Sequence, residues 1–152
     1  RMAPLLTPAT RVHAITPNVD ELAALVGHDV DDAVEGIAAA AAELHARGVT
    51  NVWVSRGAAG SLLASPDGVV TIDAIAAEVR DVTGAGDAMT AGFVYGLLCG
   101  EAPATAAHRG HLAAALTVAS SHTVPPDLGV AFTAALRTLD PATEPTNAGA
   151  TP

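Results

Sequence analysis

A glycine-rich segment that ends in an acid comes directly before an apolar helical pattern, and these residue types could handle a phosphoryl group. Residues 81 to 87 read Asp-Val-Thr-Gly-Ala-Gly-Asp. Gly84 and Gly86 allow a tight turn with uncovered backbone N–H groups, and a helix N-terminus behind them favours an anion. Asp87 at that place makes chemical sense as a general base that takes a proton from an attacking hydroxyl. The plainer interpretation of Asp87 is an acidic helix cap.

Missing residue types exclude several other classes of phosphate-binding protein. All seven basic residues are arginine, so the lysine of a P-loop and the strand lysine of a protein kinase are both absent. Met89 stands where a dinucleotide-binding fingerprint would need a third small residue. Cys99 is the single cysteine, which excludes an internal disulfide and a cysteine zinc cluster and fits a reducing, cytoplasmic setting.

Composition and charge indicate one acidic globular domain. The chain has 152 residues, half of them apolar, and a formal net charge of −9, which argues against nucleic acid or an anionic membrane as partner. No uncharged apolar run approaches the roughly 18 residues of a membrane span, and no secretory signal is recognisable. Since the first residue is Arg1 rather than methionine, we expect the chain to be a piece of a longer protein.

Hydrophobic periodicity predicts strands and helices in alternation, which is typical of an α/β protein. Strands are predicted at residues 12–16, 51–55, 61–65 and 69–72, the last two forming a hairpin. Helices are predicted at residues 18–26, from N-caps at Asp31 and Asp32 to Gly48, at 85–98, at 104–120 and from 125–127 through Leu139. Residues 1–140 are assigned to one domain, and residues 141–152 are predicted to be a disordered tail.

Three segments of the sequence, in this order, resemble motifs of the PfkB, or ribokinase-like, family of carbohydrate and nucleoside kinases. They are Asn18-Val19-Asp20-Glu21, similar to N-x-x-E; Ser55-Arg56-Gly57-Ala58-Ala59-Gly60, similar to T-L-G-x-x-G; and residues 81–87, similar to D-T-x-G-A-G-D. A weaker match places His111 on a helix like the one that borders the adenine in the family. The resemblance covers roughly residues 12 to 139 and departs from the pattern mainly at Arg56, which replaces an apolar residue.

The first two motifs imply contacts with the nucleotide. Asn18 and Glu21 would help to arrange Mg²⁺ and the phosphates of ATP, usually through water. Ser55, Gly57 and Gly60 would form the turn beside the nucleotide, with the serine keeping the hydroxyl of the usual threonine. These five residues, together with His111 as a stacking or packing residue, make up the predicted ATP site.

The third motif implies the catalytic residues. Gly84, Ala85 and Gly86 would form the anion hole for the transferred phosphoryl group, and Asp87 would be the base. Asp81 would help to hold a monovalent cation such as K⁺, as in some relatives.

The resemblance also implies a fold and a substrate class. The matched part corresponds to the C-terminal portion of a three-layer α/β/α sandwich with a small β-hairpin, whereas the family's N-terminal half carries the lid and most sugar contacts. The implied cofactors are ATP and Mg²⁺. The implied partners are a small-molecule sugar or nucleoside and either a second copy in a homodimer or the missing N-terminal half. Residues 15–27 and 117–128 resemble the pseudouridine kinase branch, with ribokinase and other sugar kinases as alternatives.

Two other interpretations remain open. The chain could be a non-catalytic module that keeps the anion site, or a truncated product that does not fold well. ATP binding without any phosphorylated product would favour the module, and a thermal melt would identify the product that does not fold.

Overall fold

The computed structural model describes residues 11–139, which form one four-stranded sheet and five α-helices. The strands are β1 (Val12–Ile15), β2 (Val49–Ser55), β3 (Ser61–Ser65) and β4 (Gly68–Ile72). The helices are α1 (Val19–Val26), α2 (Val34–Ala46), α3 (Ala85–Leu98), α4 (Pro103–Val118) and α5 (Leu128–Leu139). The tail predicted at 141–152 lies outside the described residues. No helix within residues 11–139 has both the length and the apolar character needed to cross a membrane.

The sheet is mixed, with the strand order β1-β2-β3-β4. β1 and β2 are parallel, because the chain returns through α1 and α2 between them, while β2, β3 and β4 form an antiparallel meander. The carboxyl ends of β1 and β2 therefore meet at one edge of the sheet, which is where ligands gather in open α/β folds. This edge carries the segments 18–21 and 55–60.

Apolar side chains cover both faces of the sheet. Val52 and Val54 pack with buried residues of α1 and α2 in one core, whereas Trp53, Leu63 and Ile72 pack with buried residues of α3 and α4 in the other. The alternation along β2 sends successive side chains to opposite faces, so one strand contributes to both cores. Helices on both sides of the sheet give the three layers that the resemblance implies, and the α/β class predicted from the alternation of strands and helices is confirmed.

Glycines hold α3 and α4 very close together. A Cβ at Gly92 would lie 2.7 Å from a carbonyl oxygen of α4, and a Cβ at Gly96 would lie 2.7 Å from an α4 Cα. From the other side, a Cβ at Gly110 would lie 2.5 Å from the carbonyl oxygen of Met89 and would collide with the ring of Trp53. The two helix backbones can approach this closely only because these positions have no side chain.

The predicted strands and helices are all present, and the main errors concern where helices begin. Ala33 is the N-cap of α2 and makes no side-chain cap, so the predicted N-caps are wrong. Asp31 instead accepts a hydrogen bond from the Ala33 N–H (3.1 Å) in a turn before the helix. Asp32 pairs with Arg56, with Nε and Oδ1 2.8 Å apart. Both aspartates stabilise the loop that leads into α2 rather than its first turn.

His28 is expected to make stability depend on pH. Its Nδ1 lies 2.9 Å from the carbonyl oxygen of Asp29 and its Nε2 lies 2.9 Å from Oε1 of Glu43. Both partners only accept, so only the protonated ring can donate to both. The Asp29 carbonyl and then the Glu43 carboxylate raise the pKa of His28 above its ordinary value of 6.5. The stabilisation is therefore present below pH 6.5 and is lost as the pH rises through the folded-state pKa.

We expect His28→Gln to lower the Tm near pH 5.5 and to leave it unchanged near pH 8.5, as measured by thermal denaturation, since only the protonated ring makes both bonds. His122→Gln, at an exposed histidine whose ring makes no hydrogen bond within the described residues, is the matched control and should follow the parent at both pH values. An equal loss for His28→Gln at both pH values would contradict the assignment.

Candidate active site

The predicted anion site lies at the N-terminus of α3. Gly84 is the N-cap with a φ of 82°, and a Cβ there would collide with a carbonyl oxygen of the loop before α5, so both conformation and space require glycine. Ala85 donates its N–H back into the preceding turn (3.2 Å), and its anion-hole role stays a prediction. Within residues 11–139 the N–H groups of Gly86 and Asp87 have no acceptor. The positive end of α3 therefore keeps two unpaired donors.

Asp87 is the third residue of α3, and it is exposed. The N-cap is Gly84 and no side chain caps this helix, so the plainer interpretation of Asp87 as the cap is wrong. Its carboxylate makes no hydrogen bond to any other described residue. A carboxylate without an internal partner, one residue beyond an unpaired N–H group, has the chemistry that a general base needs.

Asp81 is held in a tight turn before the glycines. Its Oδ1 accepts the N–H of Thr83 at 2.9 Å, and hydrogen bonds from Thr83 lower the pKa of Asp81 below its ordinary value. The N–H groups of Arg80 and Asp81 both donate to the Val118 carbonyl, at 2.8 and 3.3 Å, which ties this loop to the end of α4. Asp81 therefore carries a negative charge at neutral pH, which is compatible with binding a cation.

Asn18 and Glu21 hydrogen-bond each other at the start of α1. Asn18 Oδ1 accepts the Glu21 N–H at 2.8 Å, and Glu21 Oε2 accepts the Asn18 N–H at 2.9 Å, which is a capping box. Asn18 also forms a parallel bridge with Ser55, whose N–H donates to the Pro17 carbonyl at 2.9 Å. The segments 18–21 and 55–60 are therefore neighbours at the sheet edge.

The oxygens of Asn18 and Glu21 fit the metal that the resemblance implies. Mg²⁺ prefers oxygen ligands and is usually bound by one or two carboxylates together with water and phosphate. Both residues are exposed, so water can reach them. Among the residues that the structure describes, no three histidine, cysteine, aspartate or glutamate side chains gather into a metal cluster. Any metal at this edge would thus rely on ligands from water and phosphate.

A hydroxyl pair connects α3 to the carboxyl end of β1. Thr16 Oγ1 and Thr90 Oγ1 lie 3.0 Å apart across 74 residues of sequence. Thr90 follows Asp87 by three residues, so the two lie on neighbouring positions of one helix face, and Thr16 comes two residues before Asn18. The pair fixes the helix that carries Asp87 against the strand that leads to Asn18. Sequence reasoning missed both threonines, because neither belongs to a recognisable motif.

A cavity of about 580 Å³ opens beside the N-terminus of α3. Six predicted nucleotide or anion residues line it, and they are Ser55, Gly57, Gly60, Ala85, Gly86 and His111. The cavity therefore joins the glycine turn after β2 to the anion site. Asn18, Glu21, Asp81, Gly84 and Asp87 do not line it.

The wall of the cavity includes a segment that sequence reasoning left unassigned. Residues of the loop between β4 and α3 contribute a run of apolar side chains to it, namely Ala74, Ile75, Ala76, Ala77, Val79 and Val82. Gly60 has a φ of 83°, and a Cβ there would collide with the carbonyl oxygen of Ile72 at the start of this loop. The available signal for this loop in the sequence was a run of apolar residues without strand or helix periodicity.

His111 lies at the back of the cavity, buried and 5% exposed. Its Nε2 is 2.7 Å from Ser61 Oγ, and its ring packs edge-on against Trp53 with centroids 5.8 Å apart. Burial lowers the pKa of His111 below its ordinary value, the neighbouring His108 lowers it further, and Asp73 opposes the shift. The ring is therefore neutral at physiological pH. Trp53 is fully buried, as the sequence predicts.

Arg56, the departure from the glycine-turn motif, does not line the cavity. Its guanidinium pairs with Asp32, and its N–H donates to the Gly60 carbonyl at 2.9 Å. The backbone turn from Gly57 to Gly60 is closed by a further bond, from the Gly60 N–H to the Gly57 carbonyl at 3.1 Å. The Arg56 side chain therefore does not block the cavity side of the turn from Gly57 to Gly60.

Comparison with known proteins places these features in one family. The model of the pfkB family carbohydrate kinases matches residues 2–128. A 1-phosphofructokinase of Haloferax volcanii is 44% identical over 115 residues, which are 74% of this chain and 36% of that protein. A ribokinase of Arabidopsis thaliana, solved in complex with ribose and ATP, is 29% identical with a TM-score of 0.69 over 79% of this chain and 40% of its own.

A third relative shows the same fold. The adenosine kinase of Sinorhizobium meliloti is 26% identical, with a TM-score of 0.72 over 91% of this chain and 39% of its own. The chain thus spans between 36% and 40% of the length of these three relatives.

Proposed function

The chain belongs to the pfkB family of carbohydrate kinases, and we propose that it carries the nucleotide-binding and catalytic side of an ATP-dependent phosphotransferase. The acceptor is the hydroxymethyl group of a sugar or nucleoside. One observation carries this proposal: the 580 Å³ cavity reaches Gly86, whose N–H has no acceptor within residues 11–139 and which is followed by the exposed Asp87. The nucleotide would occupy the cavity, the N–H groups at its end would bind the phosphate, and the next residue, Asp87, would act as the base.

In the proposed reaction, Asp87 accepts the proton of the acceptor hydroxyl as its oxygen bonds to the γ-phosphorus. The bond from that phosphorus to the bridging oxygen breaks, and ADP leaves with the electron pair. The N–H groups of Gly86 and Asp87 and the positive end of α3 stabilise the negative charge on the transferred group. The Thr16–Thr90 pair keeps this end of α3 in register with Asn18 and Glu21.

Asn18 and Glu21 are the residues proposed to hold Mg²⁺, through water, beside the phosphates. When bound, the metal would neutralise phosphate charge. Asp81 is proposed as a ligand of a monovalent cation such as K⁺, and its ionised carboxylate supports that role. Ser55, Gly57 and Gly60 line the same cavity as Gly86 and would contact the nucleotide there.

The proposal for the acceptor names a class of sugars and nucleosides and not a single compound. The resemblance of residues 15–27 and 117–128 favours pseudouridine. The relatives named 1-phosphofructokinase and ribokinase bring fructose 1-phosphate and ribose into consideration. Because Asp87 is exposed and does not line the cavity, substrate choice is proposed to depend on contacts from another part of the protein or from a second copy.

The test combines ATP binding with product formation. We expect the 152-residue chain to bind Mg·ATP with a Kd between about 1 μM and 1 mM, measured by isothermal titration calorimetry. Ala115→Phe, at a residue that lines the cavity, should weaken binding by placing a phenyl ring in the space that the nucleotide would occupy. Ala42→Phe, on the exposed face of α2, is the matched control and should bind as the parent does. Absence of ATP binding by the folded parent chain would overturn the proposal.

Product formation separates a kinase from a non-catalytic module. Mg·ATP is incubated with pseudouridine, ribose and fructose 1-phosphate, and phosphorylated product is detected by mass spectrometry. For the chain alone we expect ATP binding without product, because Asp87 is exposed and the resemblance assigns most sugar contacts to the family's N-terminal half. A polypeptide that includes the remaining length found in the relatives should form product. If that longer polypeptide binds ATP and phosphorylates nothing, the non-catalytic module is the better description.

A further inference from the structure

A buried chain of three polar groups ends at the cavity wall. The indole Nε1 of Trp53 lies 2.8 Å from Ser61 Oγ, and Ser61 Oγ lies 2.7 Å from Nε2 of His111. The exposed fractions of Trp53, Ser61 and His111 are 0%, 1% and 5%. Water therefore does not compete for the first two groups, and their hydrogen bonds must be satisfied by one another.

The donors and acceptors of these three side chains determine which ring nitrogen of His111 carries the proton. The indole N–H can only donate, so Ser61 Oγ must accept from Trp53. If His111 Nε2 also donated, the Ser61 hydroxyl proton would have no acceptor among residues 11–139, at a site where an unpaired donor is costly. If Ser61 donates to Nε2 instead, the indole proton and the hydroxyl proton each have an acceptor. The second arrangement leaves Nε2 unprotonated, and the neutral ring then carries its proton on Nδ1.

The Nδ1 group of His111 is open rather than sealed in the core. It makes no hydrogen bond within the described residues, yet the only fully buried side-chain polar atom without a partner among them is Asn51 Oδ1. Nδ1 therefore reaches accessible space, and the space that His111 lines is the cavity. The wall carries few other polar side chains, because most of its residues are alanine, valine or glycine.

We propose that Ser61 is a positioning residue that holds His111 as the Nδ1–H tautomer, so that the cavity offers a hydrogen-bond donor to an acceptor nitrogen of the nucleotide base. This inference rests on the proposed function for the identity of the ligand. It assigns to Ser61, through His111, a part in base recognition in addition to packing.

The tautomer can be measured without any nucleotide. In a ¹⁵N-labelled chain, a two-bond ¹H–¹⁵N spectrum distinguishes a protonated from an unprotonated ring nitrogen, and His111→Gln identifies the signals. We expect Nδ1 protonated and Nε2 unprotonated in the parent. Ser61→Ala should shift the ring toward a tautomer mixture, Ser61→Thr should restore the parent pattern, and Ser65→Ala on the same strand should leave it unchanged. A protonated Nε2 in the parent, or no change in Ser61→Ala, would overturn the proposal.

The ligand part is tested with ATP and its 1-deaza, 3-deaza and 7-deaza analogues. One neutral hydrogen bond corresponds to about 2- to 12-fold in affinity. We expect one analogue to bind the parent more weakly than ATP by that factor, and to bind His111→Leu, whose side chain has no donor, as ATP does. Equal binding of all four nucleotides by the parent would overturn the donor role. Failure of ATP itself to bind would contradict the proposed function, whereas the tautomer measurement would still decide the role of Ser61.

Discussion

Replacing Asp87 by asparagine is expected to lower kcat by about a hundredfold or more, the range typical of losing a general base. The amide keeps the size of the carboxylate but cannot accept the hydroxyl proton as it leaves. Because the Asp87 carboxylate is exposed and makes no hydrogen bond to another residue between 11 and 139, the fold should be unaffected. Removing a negative charge beside the phosphates should leave ATP affinity unchanged or slightly higher. The loss therefore falls on turnover and not on nucleotide binding.

The measurement requires a polypeptide that includes the remaining length found in the relatives, with steady-state kinetics for kcat and calorimetry for ATP binding. Asp67→Asn is the matched control, since Asp67 is an exposed aspartate in the turn between β3 and β4. It should keep the parent kcat. An Asp87→Asn enzyme with unchanged kcat would refute the assignment of the base. A loss of ATP binding together with kcat would point to a structural role instead.

Gly110→Ala is expected to destabilise the fold by about 2 kcal/mol or more, within or above the usual range for overpacking. The added Cβ would lie 2.5 Å from the carbonyl oxygen of Met89 and would collide with the ring of Trp53. A backbone oxygen cannot rotate away, and Trp53 is held by Phe93 at a centroid distance of 4.7 Å and by its bond to Ser61. The helices must therefore separate, which should lower the Tm by about 4–8 °C for a chain of this size.

Gly129→Ala is the matched control for this change. Gly129 lies in α5, and a Cβ there would meet nothing within 4 Å, so the substitution should be neutral or stabilising by about 0.5–1 kcal/mol. Differential scanning calorimetry of both variants separates the cost of the helix contact from the general effect of replacing a helical glycine. A Gly110→Ala chain as stable as the parent would show that α3 and α4 are not held at this distance in solution.

The order of strands and helices could be predicted from sequence because each one has a clear period and a clear stop. Gly27, with a φ of 92°, ends α1 where the apolar pattern ends. The beginning of α2 could not be predicted in the same way, because two adjacent aspartates offered two equivalent caps. The structure uses neither, since Asp32 pairs with Arg56 across 24 residues of sequence. The start of a helix that depends on a partner so distant in sequence cannot be predicted from the neighbouring residues.

The residues of the candidate site also fall into those that the sequence could predict and those that it could not. Residues whose role depends on the local backbone, such as Gly84, Gly60 and Asp87, stand in motifs that can be read from the sequence. Ser61 and Thr90 act through partners 50 and 74 residues away, and a lone serine or threonine is chemically unremarkable until the fold supplies that partner. The cavity wall between β4 and α3 was missed for a related reason, because an irregular apolar loop has no period to detect.

The capping box at the start of α1 should make ligand binding at this edge of the sheet detectable by amide hydrogen exchange. The amide protons of Asn18 and Glu21 are each held by the side chain of the other residue. A ligand that draws either side chain toward itself must release the amide that the side chain was holding, and that amide then exchanges with solvent faster. Hydrogen–deuterium exchange at these two residues would thus register occupation of the sheet edge directly, through the first turn of a helix and without any chemical label.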